Sequence, residues 1–254
     1  MDVVLGWPLS LWDYLRLGDE DQALASVLGY YRQNASLGNA LQIGVFYIFV
    51  GRYEDAAEHL RDYARSHRVS SASIYNLLGI AEWCQRRTDA AIASWRQALK
   101  AGYADAAGGV RAPLLLYYAS IAREGSFPTA EAEGLLEARL RHRRAQIYWP
   151  GPLAKLVLGQ IGVDDLEAIW RADAARGRNW DYSQRRDAEF YLAAMALRRG
   201  DPSEYLRRME RAAVLPWGDL DAERSGFFTY AKSAEFLLGR YELAHFDVGT
   251  ADRP

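Results

Sequence analysis

Histidine and cysteine are the side chains of this chain that would most readily bind a metal or attack a substrate. Its one cysteine, Cys84, has no second thiol for a disulfide or a metal site. No HExxH motif and no i, i+4 histidine pair occurs; the histidines are His59, His67, His142 and His245. We therefore expect no metal and no cofactor, and we interpret Cys84 as a packing residue rather than a reactive thiol.

Carboxylate pairs are the other candidates, because two neighbouring acids can act as general acid and base. Such pairs, as at Glu54-Asp55 and Asp164-Asp165, recur where a second helix is expected to begin. The helix dipole explains that repetition, since each acid near a helix N-terminus contributes about 0.3–1 kcal/mol. The sequence motifs GxSxG, GxxxxGKS/T and GxGxxG do not occur either. We predict that the chain is not an enzyme.

Glycines at the ends of helical patterns give the chain its organisation, at Gly18, Gly51, Gly162, Gly200 and Gly239. A small residue follows five positions later at Ala23, Ala56 and Ala244, and Arg86 with Ala91 fits the same register. Each copy predicts a helix, a tight turn and a second helix. An isolated pair cannot bury its apolar face, so neighbouring pairs must stack. The prediction is an all-α, right-handed α-α superhelical solenoid of about six to seven helix pairs.

The helices are predicted most clearly in the second and third repeats, over 39–50 with 54–67 and 71–86 with 89–101. Gly44 and Gly79 occupy the same position in their first helices, and we expect the first helices of adjacent repeats to approach closely there. Further helices are predicted after Pro8 and over 19–33, 129–144, 153–161, 164–176, 202–214, 219–238 and 241–247. The segment 177–186 is predicted as a polar connection.

The segment Tyr148-Trp149-Pro150-Gly151-Pro152 interrupts the helical pattern and predicts a seam between residues 1–147 and 148–254, packed as one continuous solenoid. The helix before it ends in the basic run RLRHRR. Cations suit a helix C-terminus, which favours a capping role. A patch for an acidic partner is the alternative.

Composition restricts the partners that we expect. The 254 residues carry a formal charge of −2, which gives no reason to expect nucleic acid or an anionic membrane. No stretch approaches the length of an apolar membrane span, and the first residues do not resemble a signal peptide. Arginine greatly outnumbers lysine, as in GC-rich bacterial genomes. We expect a bacterial, cytoplasmic protein.

The repeat resembles the tetratricopeptide repeat (TPR). That family has a glycine or alanine midway along the first helix, an aromatic residue three positions later and a small residue early in the second helix. The second repeat supplies Gly44, Tyr47 and Ala56. The third supplies Gly79 and Ala91 but has glutamate in the aromatic position.

A narrower likeness covers residues 149–246, with Trp149-Pro150, LVLGQI and AEFYLAAMALRRGD in order. It resembles the C-terminal half of bacterial TPR proteins typified by the lipoprotein NlpI. That resemblance implies an all-α scaffold, often a homodimer, that holds envelope enzymes or other proteins together. No lipobox cysteine lies near the N-terminus. We carry over the scaffold and a possible homodimer, but neither the lipid anchor nor the envelope location.

The TPR register also implies which residues face the concave side, where the family binds a protein or peptide. They are Leu41, Val45, Ile48, Phe49, Asn76, Ile80 and Trp83, with Arg123 and Arg198 as the basic candidates. A groove of this kind suits an amphipathic helix or an extended apolar segment. We expect Phe49 and Trp83 to be partly exposed there.

The resulting functional prediction is a non-enzymatic scaffold or adaptor that binds one protein partner. The alternative is an immunity protein or chaperone that neutralises a toxin or a secreted effector. A neighbouring toxin or secretion gene would favour the alternative.

Overall fold

The structure, a computed structural model, describes residues 18–33, 35–68, 70–102, 105–174, 181–213 and 233–246. The regular secondary structure of these residues is α-helical, apart from an isolated β-bridge between Ser71 and Gly102. The helix expected after Pro8 and most of the helix expected over 219–238 lie outside the described residues. No helix in the described ranges is both long and apolar enough to span a bilayer.

The helices are numbered here in chain order. They are α1 Glu20–Gln33, α2 Leu37–Phe49, α3 Tyr53–Ser66, α4 Ala72–Cys84, α5 Thr88–Lys100, α6 Arg111–Ala122, α7 Thr129–Leu140, α8 Arg143–Ile147, α9 Gly151–Val157, α10 Val163–Ala174, α11 Asp181–Arg198, α12 Pro202–Ala213 and α13 Ala234–His245. They pack mainly with their chain neighbours, as the pairs α2–α3, α4–α5, α6–α7 and α11–α12.

The predicted turns between paired helices share one backbone geometry. Gly51, Arg86 and Gly200 adopt left-handed φ values of 82°, 61° and 72°. After α2, the Gly51 amide donates to the Ile48 carbonyl and the next amide donates to the Tyr47 carbonyl. The same two hydrogen bonds recur at Arg86 and Gly200, and they define a Schellman helix end. Arg86 therefore occupies a glycine position of the repeat, as its register predicts.

Small residues lie at the predicted close contacts. Ala56 and Ala91 are fully buried. A Cβ atom added to Gly44 would lie 2.8 Å from Leu60 of α3 and 2.9 Å from Leu77 of α4. At Gly79 it would lie 2.4 Å from Nε1 of Trp95 in the paired helix α5. The predicted approach of adjacent first helices is confirmed at Gly44, whose neighbours include Leu77 of α4. It is wrong at Gly79, because the close neighbour there, Trp95, belongs to the second helix of the same repeat.

Several predicted boundaries are wrong. Helix α7 ends at Leu140, and α8 is a separate short helix. Helix α11 begins at Asp181, within the stretch predicted as a connection. The left-handed turn after α9 is at Gly159 rather than Gly162. Gly239 closes no helix, because α13 continues through it and packs there against Met209 and Ala212 of α12.

The last helix returns to the first half of the chain. Helix α13 packs against α12 and α11, and it also contacts α4. Trp83 of α4 precedes its hydrogen-bond partner Glu242 of α13 by 159 positions. One cluster of buried apolar residues runs from Ala40 in α2 to Tyr241 in α13. The division at residues 147 and 148 stays a prediction.

Candidate functional site

Helix α13 lies on a surface that we call the helix-docking surface, formed by Phe49 of α2, Tyr53 of α3, Trp83 of α4 and Arg111 of α6. The Phe49 ring stacks on Phe236, with centroids 6.4 Å apart. The Tyr53 ring meets Tyr241 edge-on at 5.6 Å. These contacts hold α13 against the turn between α2 and α3.

Trp83 supplies the polar contact at the centre of this surface. Its Nε1–H donates to Oε1 of Glu242 at 2.6 Å, and the side chain is only 1% exposed. The expectation that Trp83 is partly exposed is therefore wrong, because α13 and its neighbours cover the ring. Phe49 is half-buried, and the Arg240 guanidinium lies 3.8 Å from its ring centroid.

Titratable groups near Glu242 have raised pKa values. Burial raises the pKa of the Cys84 thiol well above its ordinary value, and the Glu242 carboxylate raises it further. Burial and Glu242 likewise raise the pKa of Tyr118. The thiol stays protonated at neutral pH, which agrees with the interpretation of Cys84 as a packing residue.

The N-terminal end of α13 is held by a group that we call the buried ionic cluster, formed by Arg111, Asp187, Tyr191, Ser233 and Glu235. The Arg111 guanidinium lies 2.6 Å from Glu235 and 3.3 Å from Asp187. Ser233 donates to Asp187 at 2.5 Å, and the Tyr191 hydroxyl donates to Glu235 at 3.2 Å. Buried ion pairs and hydrogen bonds thus connect α6, α11 and the N-terminal end of α13.

This cluster holds two carboxylates against one guanidinium. Burial raises the pKa of Glu235 to about 7, while Arg111 opposes the shift and Asp187 adds to it. Burial thus favours the protonated form of Glu235 at the N-terminal end of α13.

The predicted partner-binding residues separate into two groups. Buried are Val45, Ile48, Asn76, Ile80 and Trp83; half-buried or exposed are Leu41, Phe49, Arg123 and Arg198. An open apolar groove along α2 and α4 is therefore absent from this part of the described structure. The two exposed members, Arg123 and Arg198, lie where α6 and α11 end, and the two half-buried members lie in α2.

Arg123 and Arg198 are the two predicted binding residues that are exposed. The Arg123 guanidinium lies 5.5 Å from the Trp83 ring, at the rim of the helix-docking surface. Arg198 donates to the Tyr117 hydroxyl of α6 at 3.2 Å and pairs with Glu133 of α7 at 2.7 Å. We call these two arginines the α6 edge.

A separate cavity of about 320 Å³ lies between α1, α2 and α3. It is lined by Tyr31, Tyr47, Asp55, Glu58, His59, Asp62, Tyr63, Ser66 and His67. Burial lowers the pKa of His59, whose Nε2 lies 3.2 Å from the Ala40 carbonyl. Asp55 is already paired with Arg52. Among the described residues, no group of three or more histidine, cysteine or acidic side chains is placed to hold a metal ion.

Sequence reasoning missed the buried charges of α13. Glu235 and Glu242 lie seven residues apart, so two helical turns place them on one face of a mostly apolar helix. Asp187 likewise precedes a strongly apolar run in α11. Acids within apolar helical patterns were the available signal, but their partners lie too far along the chain to be found locally.

Comparison with known proteins identifies no relative: no family model matches the chain, and no curated protein or solved structure matches it significantly.

Proposed function

We propose that this chain is a non-enzymatic protein-interaction scaffold, built as a right-handed α-α solenoid of TPR-like helix pairs and active in the bacterial cytoplasm. The repeated Schellman turns at Gly51 and Arg86 support the repeat assignment. The close packing at Gly44 and Gly79 supports it too, since TPR helices need a small residue at that position.

The main support for the proposal is the packing of α13 on the helix-docking surface. This surface makes aromatic contacts through Phe49 and Tyr53 and a hydrogen bond through Trp83 to one largely buried helix. Helix-in-groove recognition uses the same combination of apolar anchors and a few oriented polar groups. A surface that receives a helix of its own chain has the chemistry for binding helices of other proteins.

The partner in this proposal binds at the α6 edge, which α13 leaves exposed. Arg123 and Arg198 present guanidinium groups there, and guanidinium groups suit carboxylates on a partner. Interfaces are enriched in arginine and aromatic residues, and Arg123 lies directly beside the Trp83 ring.

Affinity capture with the full chain tests this proposal. We expect the wild-type chain to retain one protein in stoichiometric amount, and the double variant Arg123→Ala, Arg198→Ala to lose it. Arg171→Ala is the matched control, because Arg171 is an exposed, ion-paired arginine on α10. Equal retention by all three chains, or no specific protein retained by the wild type, would contradict the proposal.

A further inference from the structure

The most exposed large apolar side chains of the described residues are neighbours in sequence. Ile147 is 57% exposed and Tyr148 is 44% exposed. Single apolar side chains at a surface are ordinary, but two adjacent ones on a fixed support indicate contact with a partner.

The support is rigid. Ala145 of α8 is fully buried, and a Cβ atom at Gly151 would lie 1.8 Å from the Ala145 carbonyl oxygen, so the backbones are in direct contact. Directly after Tyr148, the Trp149 Nε1–H donates to Asp187 of the buried ionic cluster at 3.1 Å. Ile147 and Tyr148 are thus presented by backbone that is fixed on both sides.

Exposed cations lie close to this pair in the sequence. Arg141, Arg143 and Arg144 are exposed, and Lys155 reaches α8 by donating to the Gln146 carbonyl at 3.2 Å. None of them has a carboxylate within ion-pair distance among the described residues, whereas many arginines elsewhere do, including Arg52, Arg96 and Arg208.

Helix capping accounts for only part of this positive charge. Arg141 is the C-cap residue of α7, where cations are favoured. Arg144 donates to the Ala106 carbonyl at 3.1 Å. Arg143, the first residue of the short helix α8, has neither role among the described residues, and its exposed guanidinium is available to an acid of a partner.

We propose that Arg141, Arg143, Arg144, Ile147, Tyr148 and Lys155, the α8 patch, form a binding surface for an acidic protein segment that carries a large apolar side chain. The carboxylates pair with the guanidinium groups, and the apolar side chain packs on Ile147 and Tyr148. The inference rests on the proposed function only in taking the partner to be a protein. Because this surface is distinct from the α6 edge, an experiment can contradict either proposal without contradicting the other.

A protein segment fits this surface better than a membrane does. Trp149, the aromatic residue best suited to a bilayer interface, is half-buried with its indole N–H directed at Asp187. Helix α8 spans only Arg143–Ile147, too little for an amphipathic helix that lies in an interface.

The test is fluorescence anisotropy of the full chain with a labelled synthetic peptide, EDELDELFED, at low salt. We expect saturable binding that weakens about fivefold or more with Arg143→Glu, and by a similar factor with Tyr148→Ala. Arg199→Glu is the control, since Arg199 is exposed, lies at the end of α11 and changes the net charge equally; its effect should stay within about twofold. Circular dichroism checks that each variant keeps its helices.

Three results would overturn the proposal. The first is no peptide binding below about 1 mM. The second is equal weakening by Arg143→Glu and Arg199→Glu, which would indicate a general charge effect. The third is binding of phosphatidylserine vesicles or single-stranded DNA that depends on Arg143 while peptide binding does not. Self-association of the chain that Arg143→Glu alone abolishes would assign the patch to a second copy and likewise contradict an acidic partner segment.

Discussion

Gly79 shows how one residue type fixes the packing of a helix pair. The Trp95 ring lies where a side chain would be, and its Nε1–H donates to the Asn76 carbonyl at 3.2 Å, which holds the ring in place. A large fixed ring cannot yield as a flexible side chain would. At Gly44, in contrast, the neighbours are Leu60 and Leu77, whose methyl groups can move more easily.

We therefore predict that Gly79→Ala destabilises the fold by about 1–3 kcal/mol, because the added methyl group overpacks the α4–α5 contact. Gly134→Ala is the control: Gly134 is an exposed residue of α7 with nothing within 4 Å of its added Cβ. It should be neutral or stabilising by up to about 1 kcal/mol, as alanine favours helix. Urea unfolding measures both, and equal stability of the two variants would contradict the packing described here.

Glu235 is the residue whose protonation couples most directly to folding. Its pKa is raised from an ordinary 4.5 to about 7 by burial, so the folded chain binds a proton more tightly than the unfolded chain does. The stability gained from that proton is complete below about pH 4.5 and is lost as the pH rises through about 7. Arg111 opposes this loss, and Asp187 increases it.

The effect of this titration is measured by comparing the wild type with Glu235→Gln, whose side-chain amide does not titrate. The free energy of unfolding of the wild type relative to this variant should fall by on the order of 1–3 kcal/mol between about pH 5 and pH 8. Urea unfolding at several pH values measures the difference. A constant difference across that range would show that Glu235 has an ordinary pKa in the fold.

At the scale of helices, the pair Trp83 and Glu242 links α4 to α13 across most of the chain. Trp83→Phe should lower stability by about 2 kcal/mol or more, because it shrinks a buried ring and leaves the Glu242 carboxylate without its donor. Glu242→Gln keeps an acceptor and should cost less. A double-mutant cycle should give a coupling of about 0.5–3 kcal/mol, and strict additivity would contradict the contact.

The helices α2 to α5 were predictable because their signals are local. The turn register, the small residues Ala56 and Ala91, and the glycines Gly44 and Gly79 all act within one or two neighbouring helices. The predicted helix ends there agree with the structure to within one or two residues.

The predictions about α13 and Trp83 were wrong because their determinants are non-local. A glycine followed by a small residue, as at Gly239 and Ala244, is the same local signal as at Gly51, but packing on α12 keeps α13 continuous. Trp83 occupies a position that the family register exposes, and the residue that pairs with it lies 159 positions away. No local pattern carries that information.

For the molecule as a whole, the return of α13 to α4 determines which surfaces stay accessible. It covers Trp83 and part of Phe49, and it leaves Arg123 and Arg198 in contact with solvent. If the chain acts as the scaffold that we propose, its partner would meet exposed arginines beside a groove that α13 fills, rather than an open apolar channel. Its binding should depend on those arginines and should weaken as salt rises.

Isothermal titration of the partner recovered by affinity capture tests this account most directly. We predict that the Arg123→Ala, Arg198→Ala variant binds that partner about tenfold or more weakly, and that Arg171→Ala binds within about twofold of the wild type. Both variants should melt close to the wild type, because the exposed ion pair of Arg198 contributes little stability. Equal affinity of all three proteins for the partner would show that the α6 edge is not the binding site.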